Sequence, residues 1–388
     1  MRSAFLPFSA LLAGFVAVLV GYASSAAIIW QAAAAAGAPP GQIAGWMTTL
    51  GLAMGVSTLA FSLWYRLPVL TAWSTPGAAL LATSLHGLTL NEAVGVFIFA
   101  NALIVLCGVT GLFARLMKII PHTLAAAMLA GILLRFGLQA FSNLQQHTLL
   151  CASMLLAWLV CKRLAPRYAI VAALIAGIMI ALLKGDVVTN EIELSLALPA
   201  FIAPVFNGSA LISVGLPLFL ATMASQNAPG FATMQAAGYR VPASSLMSLT
   251  GAMALLLSPF GGWSVCIAAI TAAICQSPEA HPDKAQRWKA SAAAGLFYLL
   301  AGIGGGAISS LLTALPLSWI QTLAGLALLG TISGSLVQAL AKENERDAAV
   351  VTFLTTASGV TLAGAGSAFW GLVAGGVCYA VLSRTRRA

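Results

Sequence analysis

Acidic side chains are scarce in this chain of 388 residues. There are nine, against 18 Lys and Arg, and charged residues of both signs make up only 7% of the total. A soluble globular domain carries roughly a quarter charged residues, so that class is excluded. Whole stretches are free of charge: 3–65, 194–239, 241–278 and 290–341 contain no Asp, Glu, Lys or Arg. The six cysteines (Cys107, Cys151, Cys161, Cys266, Cys275 and Cys378) lack metal-ligand spacing. They read as small apolar packing residues and predict neither a disulfide framework nor a metal site. The sequence also has no H-E-x-x-H, no G-x-S-x-G, no paired intramembrane Asp and no Asp-rich diphosphate motif, which argues against a membrane enzyme. No cofactor is expected.

What is present is hydrophobic: 60% of the residues. A helix crossing the hydrocarbon core of a bilayer needs about 20 apolar residues. The pattern predicts an all-α polytopic membrane protein of about 14 segments: 9–31, 42–64, 71–85, 91–114, 121–140, 147–161 and 168–184, then 208–228, 242–258, 263–277, 288–312, 316–340, 347–363 and 366–383. The stretch 194–207, bounded by Pro199 and Pro204, is expected at the surface between the halves. With these spans, 16 of the 18 Lys and Arg fall on one side, all but Arg135 and Lys184. That obeys the positive-inside rule and places both termini in the cytoplasm. The net charge of +9 is therefore topological, and no nucleic-acid partner is expected. The apolar stretch from Leu11 to Trp30 is longer than a signal-peptide core and has only Arg2 as a basic flank, so it reads as a span rather than a cleaved leader.

The two halves echo each other. Trp73-Ser74 recurs as Trp263-Ser264, 190 positions on. Leu67-Pro68 aligns with Ser258-Pro259, Pro121 with Pro316, and Leu129-Ala130-Gly131 with Leu323-Ala324-Gly325. Seven spans per half is an odd number, so the second copy must insert upside down. Such a 7+7 inverted repeat is the usual basis of alternating access. Gly51 with Gly55, and Gly302 with Gly306, form small-residue pairs suited to close helix packing.

The sharpest signal is the matched pair of short segments that open with Trp-Ser beside helix-loosening residues: Thr71 to Gly77 and Gly261 to Ile267. Short, Gly/Pro-interrupted segments in corresponding places mark a transporter's substrate site. Pro76 fits a first helical turn, which needs no N–H. Ser74 or Thr75 is expected to cap one half-helix and Ser264 the other. Two helix N-termini meeting in the membrane would favour an anion, with Trp73 and Trp263 supplying aromatic walls. The competing reading makes the two Trp interfacial anchors before ordinary short helices. Facing the pocket should be the first span of each half, which carry Tyr22, Ser24 and Ser25, and Gln226 with Asn227. A Gln-Asn pair in a charge-free stretch is costly unless partnered, so it contacts either a ligand or a neighbouring helix.

The acids all lie at span ends or in loops, which leaves proton coupling without an obvious relay. Glu92 reads as a helix-dipole complement rather than a coupling residue. Arg135 is the one charge placed within a span; it reaches the interface or lines the solute path.

These motifs, with Tyr22-Ala23-Ser24-Ser25 and Ser225-Gln226-Asn227-Ala228-Pro229-Gly230, make the chain resemble the benzoate/proton symporter (BenE) family over nearly its whole length. That resemblance implies an architecture like the uracil/proton symporter: a core domain (1–119 and 208–313) and a gate domain (120–207 and 314–388). It also implies short strands before half-helices 3 and 10, a homodimer in a bacterial inner membrane, and protons as a second partner. Substrate binding would fall to Tyr22, Ser24, Ser25, Trp73, Ser74, Thr75, Gly77, Gln226, Asn227, Trp263, Ser264 and Val265. Uracil-type relatives bind substrate with carboxylates where this chain has Gln226-Asn227 and Ser264-Val265, a departure that favours an aromatic or other carboxylate over a nucleobase, benzoate itself being implied by the family name alone. The expected activity is secondary import of benzoate or a related acid. The alternatives are another small anion or neutral solute on the same fold, or an anion channel.

Overall fold

The computed structural model describes residues 6–112, 121–188, 196–362 and 366–385. The first half contains α1 (Phe8–Ala35), α2 (Pro40–Tyr65), β1 (Thr71–Ala72), α3 (Thr75–Ser84), α4 (Leu90–Thr110), α5 (His122–Gln146), α6 (Thr148–Leu164) and α7 (Ala169–Lys184). The second contains α8 (Gly208–Gln235), α9 (Ala243–Leu257), β2 (Cys266–Ile267), α10 (Ile270–Gln276), α11 (Trp288–Ile303), α12 (Gly305–Ala314), α13 (Leu317–Ala339), α14 (Arg346–Ser358) and α15 (Ser367–Thr385). Among the described residues, seven helices are long and apolar enough to cross a membrane, or eight if α11 and α12 form one bent span. The chain is thus a multi-pass helical membrane protein. The predicted span 288–312 is not one rod: it turns by 62° between α11 and α12 at Gly304. A run of three glycines, Gly304 to Gly306, there leaves the backbone without side chains to hold a straight helix.

Helices α5, α6, α7, α13, α14 and α15 pack chiefly on one another, while α1 packs on α3, α10 and α11, α2 on α11 and α12, and α4 on α9. Small residues set the closest approaches. A Cβ on Gly51 would lie 2.5 Å from the Gly302 Cα, and one on Gly302 2.6 Å from the Leu52 nitrogen. The echoed glycines Gly131 and Gly325 also mark close crossings: the first lies against Phe353 and Thr356, the second against Phe136 and Ala140.

The segment between the halves lies along the start of α4. The Val205 amide donates to the Asn91 carbonyl at 2.9 Å, and Asn91 Nδ2 donates to the Ala203 carbonyl at 2.7 Å. Glu92 closes a capping box with Thr89 and accepts from Asn207 Nδ2 at 2.8 Å. Its carboxylate is committed to helix α4 and the incoming chain, as the dipole reading expected.

Candidate functional site

At the centre of the molecule the chain leaves the helical state twice. β1 and β2 pair antiparallel, Thr71 opposite Ile267 and Ala72 opposite Cys266. Each strand is followed by a short helix, α3 of ten residues and α10 of seven. Non-helical backbone at membrane depth survives only where its polar groups find partners in protein or cavity. Here α2 supplies them on one side: the Thr71 amide donates to Thr58 Oγ1 at 3.0 Å, and Ser62 Oγ donates to the Val69 carbonyl at 3.0 Å. On the other side, Asn227 Oδ1 accepts from the Ile267 amide at 3.0 Å. Asn101 Nδ2, buried on α4, donates to the Trp263 carbonyl at 2.8 Å.

Ser74 caps α3, its hydroxyl accepting from the Gly77 amide at 3.1 Å, with Pro76 in the first turn. Ser264 does not cap the second half-helix, contrary to expectation. β2 intervenes, α10 begins at Ile270 after an Ala269 that makes no side-chain cap, and Ser264 Oγ instead accepts from the Ser74 amide at 3.1 Å. One serine therefore caps a helix while its counterpart braces that same turn from the other repeat.

A cavity of about 320 Å³ opens at the tips of both half-helices. Ser24 and Ser25 of α1 line it, as do Trp73 and Thr75 at the start of α3, Gln226 of α8, and Ala269 and Thr271 at the start of α10. Trp73 is fixed in place: its indole N–H donates to Ser25 Oγ at 2.7 Å, and its ring lies 4.7 Å from that of Tyr22, centroid to centroid. Gln226 belongs to a π turn, Met223–Asn227, within α8. A π turn carries one extra residue per turn and shifts the side chains after it, a device frequent at functional sites. In this turn Gln226 faces the cavity, whereas Asn227 is wholly buried against β2.

Five of the twelve residues expected at the site thus line the cavity: Ser24, Ser25, Trp73, Thr75 and Gln226. Tyr22 stands behind Trp73, and Ser74, Gly77, Asn227 and Ser264 build the scaffold just described. Trp263 turns away into a buried aromatic row, 6.1 Å from Phe97, which in turn lies 5.5 Å from Trp46. The cause is local. Gly261 has φ +80 and the Trp46 ring occupies the place of a Cβ there, so the turn before Trp263 points its side chain toward α2 and α4. Val265 packs with Ala53 and Ala254.

The remaining walls come from helices that the sequence reading did not single out. Trp158 and Lys162 of α6, Tyr298 of α11, and Gly330 and Thr331 of α13 complete the cavity. Among the described residues its lining includes three aromatic residues, one lysine and no carboxylate. Such a space suits a small aromatic guest with a negative charge: rings offer flat apolar faces, while a lysine and a helix N-terminus supply positive potential.

A family model described as BenE, benzoate membrane transport protein, matches residues 4–381. The chain is 70% identical over 383 residues to inner membrane protein YdcO of Escherichia coli, covering 99% of this chain and 98% of that one. It is 37% identical over 378 residues to the benzoate membrane transport protein of Acinetobacter baylyi, covering 97% and 96%. Among solved structures, the transmembrane domain of the cyanobacterial bicarbonate transporter BicA superposes with a TM-score of 0.64 at 15% identity, covering 95% of this chain and 97% of that domain. At that identity the likeness speaks to the fold.

Proposed function

From the premise that the chain belongs to the BenE family of benzoate membrane transport proteins, we propose that it is a secondary transporter that imports benzoate or a related aromatic carboxylate together with a proton. The carrying observation is the central cavity, which combines half-helix tips, the side chains of Trp73, Trp158 and Tyr298, and Lys162, with no carboxylate among the described residues. Its 320 Å³ falls near the lower end of the roughly 300–1,000 Å³ of small-molecule sites, in keeping with a guest of one ring. In this reading Thr75 and Gln226 hydrogen-bond the carboxylate, and Trp73, set by Ser25, stacks on the ring.

The proton follows from charge. A monovalent anion entering a cell that is negative inside works against about 2.3 kcal/mol per 100 mV, and a proton moving with it cancels that term. In this reading, movement of two domains against each other exposes the cavity to each side in turn. Helices α1–α4 and α8–α12 form the core domain (1–119 and 208–313), and α5–α7 and α13–α15 the gate domain (120–207 and 314–388). Core carries substrate past gate in a 7+7 inverted repeat of fourteen segments, with both termini cytoplasmic and two copies in a dimer. The separate packing of α5–α7 with α13–α15 supports that division, and Lys162 at the cavity supports a cytoplasmic opening through the positive-inside rule.

The test is uptake of radiolabelled benzoate into proteoliposomes. Saturable uptake stimulated by an acid-outside gradient is expected; no saturable uptake with or without the gradient would end the benzoate reading. A carrier of another small anion is the second reading, favoured by the bicarbonate transporter among the structural neighbours. Competition by a panel of aromatic and aliphatic carboxylates separates the two.

A further inference from the structure

Two more cavities lie at the other end of the same helices. One of about 700 Å³ is lined by Gln31 of α1, Thr83 of α3, His86, Arg135 and Gln139 of α5, and Gln321 of α13. A smaller one, of about 170 Å³, shares Thr83, His86 and Arg135 with it. On α1, Gln31 is seven residues beyond Ser24 of the central cavity, about 10 Å along the axis at 1.5 Å per residue. On α3 the two spaces meet opposite ends of one short helix, Thr75 at its start and Thr83 near its finish. Between them lies a buried layer: Ala26 to Ile29 of α1, Ala78 to Leu81 of α3, and Thr322 to Ala324 of α13. The far vestibule is therefore a separate compartment, closed off from the central cavity by packed side chains.

Arg135 dominates this compartment. A charged residue within a spanning segment calls for a reason, and Arg135 is exposed, with its side chain reaching out of the packed core. The side chain lines both vestibule cavities, and its guanidinium lies against Gly359, at the C-terminal end of α14. Carbonyls at a helix C-terminus favour a cation beside them. Among the described residues Arg135 has no ion pair or hydrogen bond, and no carboxylate lines either cavity. A guanidinium with free N–H groups, ringed by amides and hydroxyls and facing open space, is a receptor for a carboxylate.

We infer that the Arg135 vestibule is a second carboxylate site, which captures the anion on the far face before the buried layer opens and passes it to the central cavity. The inference rests on the reading of the protein as a carboxylate carrier. It places a cation at each mouth of one path, Lys162 at one end and Arg135 at the other. His86 and Thr83 contribute further donors to the captured group, and Gln31, Gln139 and Gln321 surround it without a competing charge.

The probe is benzoate, and the experiment compares right-side-out with inside-out membrane vesicles carrying wild type, Arg135→Gln or Arg135→Lys. The far vestibule faces the bath only in the right-side-out preparation. The glutamine variant is expected to raise the apparent KM about tenfold there, the scale of one charge-assisted hydrogen bond, with little change in maximal rate. In inside-out vesicles its KM stays at the wild-type value, and the lysine variant recovers part of the loss. A KM unchanged in both orientations overturns the capture site. So does an equal loss from both sides, which marks Arg135 as a support for α14. Wild-type vesicles without saturable uptake in either orientation would instead overturn the carrier reading, and the capture site with it.

Discussion

Gln226 and Asn227 are neighbours with opposite tasks. The first lines the central cavity and the second accepts from the Ile267 amide. Replacing Gln226 by Ala is expected to raise the KM for benzoate several-fold while the protein inserts and melts as wild type. Asn227→Ala leaves a buried amide unpaired, which costs about 1–3 kcal/mol; it is expected to lower the melting temperature of the purified protein in detergent. A melting curve for each variant beside its uptake kinetics checks both outcomes, and equal loss of stability in the two would contradict the division. Ser264→Ala belongs with Asn227, because it removes the acceptor for the Ser74 amide. A polar pair in an apolar run was visible in the sequence as costly. Which member faces the ligand was not, because that depends on the π turn, which shifts the register by one residue and has no compositional mark.

The half-helices were the most legible elements. Pro76 and the paired glycines Gly261-Gly262 interrupt apolar runs already too short to span; α3 is as short as that implies, while α10 begins only at Ile270, after β2, and is shorter than the expected 263–277. The strands before them have two residues each, too few for any alternation to register, and only the resemblance to a family raised them. Placement of Trp158, Lys162, Tyr298 and Thr331 in the cavity is a product of distant helices coming together, so no local pattern announces it. Among helix contacts, the small residues of α2 and α11 were readable and consequential. A valine at position 51 would drive its Cβ to 2.5 Å from the Gly302 Cα, an overpacking that costs about 1–3 kcal/mol. Gly51→Val is expected to reduce the yield of folded protein in size-exclusion chromatography, whereas Gly330→Ala, where a Cβ meets nothing within 4 Å, leaves it unchanged.

For the whole molecule, two sets of helices meet around one cavity without a carboxylate among its described residues, and a second, arginine-lined space lies beyond a buried layer. If that layer is the barrier between the two faces of the membrane, cysteines at Ile29 and Leu323, which are buried in it, are expected to resist a membrane-impermeant thiol reagent without substrate. Labelling should rise when benzoate drives turnover; constant labelling under both conditions would place the barrier elsewhere. The account as a whole depends on a negatively charged guest occupying the space between the half-helix tips. Gln226→Glu tests this most directly, since it changes little but charge at the cavity wall. Benzoate uptake into proteoliposomes at neutral pH is expected to fall to background for a protein that still purifies and melts normally. Uptake by that variant at the wild-type rate and KM would contradict the claim that the substrate's carboxylate binds there.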